Sequence, residues 1–231
     1  MKCSKSYNRK AVILLSGGLD SATCLAIAKH MGFAAHALTF GYGQVHKTEI
    51  LHAKRIAKSF KVKNHLVVKL DLKNISKSSL TGKTNIPKNR KLIGNNIPST
   101  YVPARNTIFL SIALGLAESI SAQNIFIGAN AVDFSGYPDC RPEFINQFAK
   151  LANIATKAGV GGKRFKIYAP LVNMTKAEII KTGIKLGVDY SLTHTCYCPT
   201  RNSKPCGECD ACKLRAKGFA QAGLSDPATS S

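Results

Sequence analysis

At 231 residues the chain is long enough for one domain with a full core and a small appendage, and no repeat of fixed period divides it. Its 33 basic against 12 acidic residues give a formal charge of +21, enough to attract polyanions without specificity. Lys58, Lys61, Lys63, Lys69, Lys73 and Lys77 are nevertheless scattered without interleaved aromatics, which reads as a solvated face rather than a nucleic-acid groove. A basic start over residues 1–10 precedes a short apolar run that ends at Ser16, so an export signal is not expected. The longest apolar stretch, residues 107–117, is too short to span a bilayer, and a cytoplasmic location with no membrane partner follows as the expectation.

In chain order, the apolar run 11–15 predicts a buried strand, and residues 16–21 read Ser-Gly-Gly-Leu-Asp-Ser before a helical stretch over 21–31. A strand that empties through two glycines into a helix N-terminus gathers backbone N–H donors at the positive end of the helix dipole, with no Cβ to block approach. Such a junction suits phosphate oxygens; the bland alternative is a tight turn with Ser or Asp as N-cap. The S-G-G-x-D-S string resembles the PP-loop of ATP pyrophosphatases. No Gly-Lys follows Gly17 or Gly18 at the spacing of a P-loop, and Gly41-Tyr42-Gly43 meets His46 where a dinucleotide fingerprint needs a third glycine. Cleavage of ATP between its α- and β-phosphates is favoured over γ-phosphoryl or hydride transfer.

Short apolar runs at 35–40, 65–70 and 124–127 predict further strands covered on both faces. Between them, residues 44–60 place Ala53, Ile56, Ala57 and Phe60 on one helical face, and 106–120 is apolar nearly all round, as in a buried helix. Alternating strands and helices predict an α/β, Rossmann-like parallel sheet flanked by helices, with ligands at the carboxyl ends of the strands, where the loop after Leu15 falls. Residues 73–100 lack periodicity and are rich in Lys, Asn, Ser and Pro, which suggests a mobile loop near the active site or a plain surface excursion.

The eight cysteines do not read as a disulfide scaffold, because there is no export signal and several crowd into one segment. Cys196, Cys206, Cys209 and Cys212 form C-x9-C-x2-C-x2-C, the ligand set of a closed structural zinc site, with an iron–sulfur cluster as the alternative. Cys198, two residues beyond Cys196, is a rival for the first position. Cys3, Cys24 and Cys140 are isolated, and Cys24 reads as a small apolar residue of the first helix. The expected division is an ATP-binding α/β domain over 1–190, a cysteine-bearing segment over 191–222 and a flexible tail over 223–231.

Together, residues 15–25 (LSGGLDSATCL), 39–46 (TFGYGQVH), 102–106 (VPARN), 133–141 (DFSGYPDCR) and the cysteine segment 195–218 resemble the 7-cyano-7-deazaguanine synthase family of queuosine biosynthesis, over residues 11 to 219. Ala104 stands where a glycine is often found, and Cys198 falls in a variable stretch. The resemblance implies conversion of 7-carboxy-7-deazaguanine with ammonia and ATP to the 7-cyano base, Mg²⁺ entering with ATP, in a zinc-containing homodimer with no stable nucleic-acid partner. It selects Cys196 over Cys198.

The resemblance further implies that Leu15, Ser16, Gly17, Gly18, Leu19, Asp20, Ser21, Ala22, Thr23, Cys24 and Leu25 form the nucleotide-binding stretch. Ser16, Gly17, Gly18 and Ser21 would hold pyrophosphate, and Asp20 would orient the loop or help hold Mg²⁺. Arg105 and Lys176 would neutralise phosphate or adenylate charge, unless they are surface ion-pair residues. Asp133, Tyr137, Asp139 and Arg141 would bind the guanine-like base, unless they only shape a turn around Gly136 and Pro138. Asp20, Asp133 and Asp139 stand out because acids are scarce in this chain. The competing readings are a PP-loop tRNA thiolase or lysidine-type synthetase, with Cys24 or Cys140 as the reactive thiol of a thiolase, and a non-enzymatic zinc-ribbon nucleic-acid-binding protein.

Overall fold

The computed structural model describes residues 9–43, 48–74, 76, 78–82, 85–89, 97–132 and 137–228. Five parallel strands form one sheet in the order β3-β2-β1-β4-β5. They are β1 (Arg9–Leu14), β2 (Phe33–Gly41), β3 (Asn64–Lys69), β4 (Asn124–Phe126) and β5 (Lys166–Tyr168). Strand order reverses direction at β1, which pairs with β2 on one side (Ile13 opposite Ala37) and β4 on the other (Ile13 opposite Phe126). A ligand crevice therefore opens between the carboxyl ends of β1 and β4.

Alternate residues of β1 supply two separate cores, as the two-residue side-chain period of a strand requires. Ala11 and Ile13 face a core shared with α1 (Leu19–His30), α2 (Thr48–Ser59), α6 (Lys176–Lys185) and α7 (Asp210–Ala222). Val12 and Leu14 face the opposite core, built with α3 (Arg105–Ser119) and α4 (Pro142–Ile154), the latter followed by the single turn α5 (Lys157–Val160). Four of the strands and the first three helices match the expected runs; the part of the second helix expected over 44–47 lies outside the described residues. β5 and α4 to α7 were not anticipated.

Three further expectations meet the structure here. Within residues 191–222, Phe219 of α7 is buried in the first core and Gly218 packs directly on Lys176 and Ile180 of α6. In the described part of the tail expected over 223–231, Asp226 pairs with Arg215 at 2.8 Å, and both side chains are almost fully buried. In the segment 73–100, Leu80 is buried in the second core, and Lys88 and Asn89 bond Glu208 beside the cysteines. Residues 76 and 78–81 of the segment are buried, while Lys73, Asn74, Lys88, Asn89 and Ile97 are exposed. No helix among the described residues is long and apolar enough to cross a membrane.

Candidate active site

The chain leaves β1 at Leu14 and turns into α1 through a left-handed glycine, Gly17, at φ +91°. Gly18 is the N-cap of α1 and contributes no side-chain cap, so the first-turn N–H groups are left for a ligand instead of being satisfied by a Ser or Asp cap. Hydrogen bonds within the loop fix its shape. Ser21 Oγ donates to the Gly18 carbonyl at 3.0 Å and accepts from the Ser16 amide at 3.2 Å, and Ser16 and Ser21 hydroxyls lie 3.0 Å apart. β4 closes on this loop through Gly128, where a Cβ would come within 3.1 Å of the Asp20 and Ser21 backbone.

Lys176 is the first residue of α6, placed there by a capping box in which the Thr175 and Glu178 side chains satisfy each other's amides. A cation at a helix N-terminus opposes the dipole, so its position needs another cause. That cause is Asp20: Lys176 Nζ donates to both carboxylate oxygens, at 2.7 and 2.9 Å, with the side chains 8% and 23% exposed.

A cavity of about 220 Å³ joins these groups to an aromatic wall. Phe40 and Phe109 stack at 4.0 Å, and Tyr42, Tyr137 and Tyr197 surround Arg105. Burial works against the Arg105 charge, but the three tyrosines and Cys140 outweigh it and hold the guanidinium above its ordinary pKa. Burial pushes Tyr42 up to about 12, with Glu49 adding to the rise. Arg105 begins α3 after Ala104, which sits at φ +54°, in the left-handed region where a glycine carries no strain.

The structure brings together Leu15, Ser16, Gly18, Leu19, Asp20, Ser21, Arg105, Tyr137 and Lys176 on the cavity wall. Gly17 faces away, with its back on α2, and Ala22, Thr23, Cys24 and Leu25 point into the core. Thr23 bonds Leu19 and Tyr190 instead of a ligand. Asp133 lies outside the described residues. Asp139 and Arg141 are not on the cavity wall: the Asp139 carboxylate accepts from the Asn106 amide at 2.9 Å, satisfying an N-terminal donor of α3, and Arg141 is exposed ahead of α4. Glu49, Tyr42, Tyr197, His194 and Arg215 line the cavity without having been picked out as site residues.

Next to the cavity the cysteines converge. The sulfurs of Cys196, Cys198, Cys206 and Cys209 lie within 4.8 Å of one another, and Cys212 joins at 4.0 Å from Cys206. A tetrahedral thiolate site with metal–sulfur bonds of about 2.3 Å needs sulfurs about 3.8 Å apart, so the cluster is of the size to hold a metal ion. Amides of Cys206, Glu208 and Cys209 point at the sulfurs, an arrangement that supports thiolate charge. The expected set of four therefore has a fifth neighbour, Cys198, only 3.4 Å from Cys206. Upstream, the His194 amide donates to the Gly17 carbonyl at 2.9 Å, and Arg215 bonds Thr193 and Tyr190, tying this segment to the phosphate loop.

Comparison with known proteins agrees with this geometry. The sequence model of the family described as "Queuosine biosynthesis protein QueC" matches residues 10–223. The 7-cyano-7-deazaguanine synthase of Citrifermentans bemidjiense is 58% identical over 219 residues, covering 95% of this chain and 96% of that protein. The synthases of Geobacter sp. (strain M21) and Geotalea uraniireducens are each 58% identical as well, again covering 95% of this chain and 96% of theirs. With a match that runs from β1 to the end of α7, through the phosphate loop, Arg105 with its aromatic wall and the cysteine cluster, the chain belongs to the QueC family.

Proposed function

We propose that the chain is an ATP-dependent synthase that converts 7-carboxy-7-deazaguanine and ammonia to 7-cyano-7-deazaguanine. The observation that carries this reading is that one cavity brings a phosphate-binding helix start and an Asp20–Lys176 pair face to face with a half-buried arginine set among aromatic rings. A carboxylate is a poor electrophile, so its oxygen first attacks the α-phosphate of ATP and pyrophosphate departs. Ammonia displaces AMP to give the amide; a second adenylation, on the amide oxygen, and loss of AMP give the nitrile.

No protein nucleophile is needed, and the work of the chain is positioning and charge stabilisation. The first-turn amides of α1, with Ser16 and Ser21, hold pyrophosphate. Both oxygens of Asp20 are bonded to Lys176, so Asp20 aims the lysine at the phosphates while Mg²⁺ enters with ATP. Arg105 offsets adenylate charge, and the Phe40–Phe109 and tyrosine wall receives the base. Cys196, Cys206, Cys209 and Cys212 are the preferred zinc ligands; four soft thiolates leave no open position, so a zinc ion there supplies structure and no chemistry. A cytoplasmic homodimer without a stable nucleic-acid partner completes the reading.

Incubation with 7-carboxy-7-deazaguanine, ammonium and Mg-ATP should yield the nitrile, AMP and pyrophosphate by mass spectrometry and ³¹P NMR. Formation of ADP and phosphate, or sulfur transfer to tRNA without nitrile, would reject it.

A further inference from the structure

Within the proposed reaction, ammonia carries a protonation problem. At neutral pH it is almost entirely ammonium, which has no lone pair, so a group in the cavity that takes a proton would make the nucleophile available. Among the described cavity residues the carboxylates are Asp20 and Glu49. Asp20 has both oxygens on Lys176. Glu49 is different in position and in pairing. It stands in the first turn of α2, and its main chain lies directly behind the phosphate loop, with its carbonyl oxygen where a Gly17 Cβ would be. Its side chain lies in the electrostatic reach of Arg105 and Tyr42. Glu49 thus lines the cavity with its main chain packed behind the phosphate loop and its side chain near Arg105 and Tyr42 of the aromatic wall, and an acyl adenylate held by both would span that interval.

We propose that Glu49 is the proton acceptor that converts bound ammonium to the nucleophile. Its carboxylate takes one proton from NH₄⁺; the freed lone pair forms the C–N bond at the acyl carbon; the C–O bond to AMP breaks, with its electron pair leaving on the phosphate. The second proton shed by nitrogen in forming the amide passes to water. This rests on the synthase reading above, which supplies both the adenylate and the ammonia.

The surroundings suit that duty. Burial pushes the Glu49 carboxyl up to about 7, partly opposed by the Arg105 guanidinium, so near neutral pH it can both accept and release a proton. The other groups facing the cavity leave it that role. Lys176 is held by Asp20 and Arg215 by Asp226, and burial keeps Tyr42 protonated.

The test compares the wild-type chain and Glu49→Gln in three reactions: ATP–pyrophosphate exchange dependent on 7-carboxy-7-deazaguanine, turnover with ammonium, and trapping by hydroxylamine, which is a neutral nucleophile at neutral pH. The variant should keep exchange and hydroxylamine trapping within about threefold of wild type while ammonium turnover falls about 100-fold, recovering toward alkaline pH as free ammonia increases. Equal loss with both nucleophiles, loss of exchange, or unchanged ammonium turnover would overturn the assignment. Wild-type protein that shows no exchange with this base would refute the synthase reading and this inference with it, and is distinguishable because it does not involve the variant. If Glu49→Gln is insoluble, Glu49→Asp takes its place: ammonium turnover should fall more than hydroxylamine trapping, and equal falls would overturn the proposal.

Discussion

Two adjacent glycines of the phosphate loop should respond to the same substitution very unequally. In Gly17→Ala the new methyl meets two costs. The backbone sits at φ +91°, a conformation that costs an L-residue about 1–3 kcal/mol. Its Cβ would lie 2.3 Å from the Glu49 carbonyl oxygen and 2.9 Å from the Ala53 amide nitrogen, main-chain atoms of α2 that cannot swing aside. Overpacking of this kind costs about 1–3 kcal/mol more, for a sum of about 2–6 kcal/mol against a total stability of about 5–15 kcal/mol. Gly18 has φ −83°, and the nearest atom to an added Cβ is the Ser16 hydroxyl at 3.5 Å, an ordinary contact. Gly18→Ala should stay within about 0.5 kcal/mol of wild type. Urea unfolding of both variants, followed by far-UV circular dichroism and read as midpoints at unchanged slope, measures the difference. Equal midpoints, or a less stable Gly18→Ala, would show that α2 does not brace the phosphate loop as described.

The Arg215–Asp226 pair has side chains only 5% and 8% exposed, so Asp226→Ala leaves a buried guanidinium short of its partner and should cost about 3–5 kcal/mol in thermal or urea unfolding; an unchanged midpoint would mean the tail is not anchored. Metal analysis should give one zinc per chain, lost in Cys206→Ser, Cys209→Ser and Cys212→Ser and retained in Cys198→Ser; zinc that survives Cys196→Ser but is lost in Cys198→Ser would make Cys198 the first ligand. Burial lowers the pKa of His36, His52 and His65, so each makes the unfolded chain bind more protons than the folded one below about 6.5, and together they outnumber the opposite contribution of Glu49, whose carboxyl burial raises to about 7. Stability should therefore fall as pH drops from 6.5, and a flat profile of unfolding midpoint between neutral and mildly acidic pH would contradict that balance.

The parts of the molecule legible from sequence are those whose signal is local. The phosphate loop is contiguous from Leu15 to Ser21, and four strands are apolar runs bounded by polar residues, so a short window carries each of them. β5 escapes because it is three residues long, Lys166–Tyr168, and owes its existence to pairing with β4. Two missed helices did carry readable signals: Thr175 and Glu178 have the spacing of a capping box, and Pro142 opens α4, with Ile145, Phe148 and Ala152 on one face. The candidate site was harder. Tyr137 and Asp139 are two residues apart, yet one reaches the cavity while the other satisfies the start of α3, a division set by the turn at Pro138–Cys140 rather than by residue type. Glu49, His194 and Arg215 meet only because α2 and α7 fold against the phosphate loop from opposite ends of the chain.

If metal and nucleotide both bind as proposed, the hydrogen bond from His194 to Gly17 links their two equilibria. It joins the phosphate loop to a residue only two positions before Cys196, so the order imposed on that segment by a bound metal is order the loop need not acquire when nucleotide arrives. Thermodynamic reciprocity then fixes the relation in both directions: the factor by which metal occupancy tightens ATP binding is the factor by which ATP tightens the hold on the metal. An ion that never touches the substrate would in this way set how much nucleotide the protein needs, and a chain short of metal would lose affinity for ATP while its sheet remained intact.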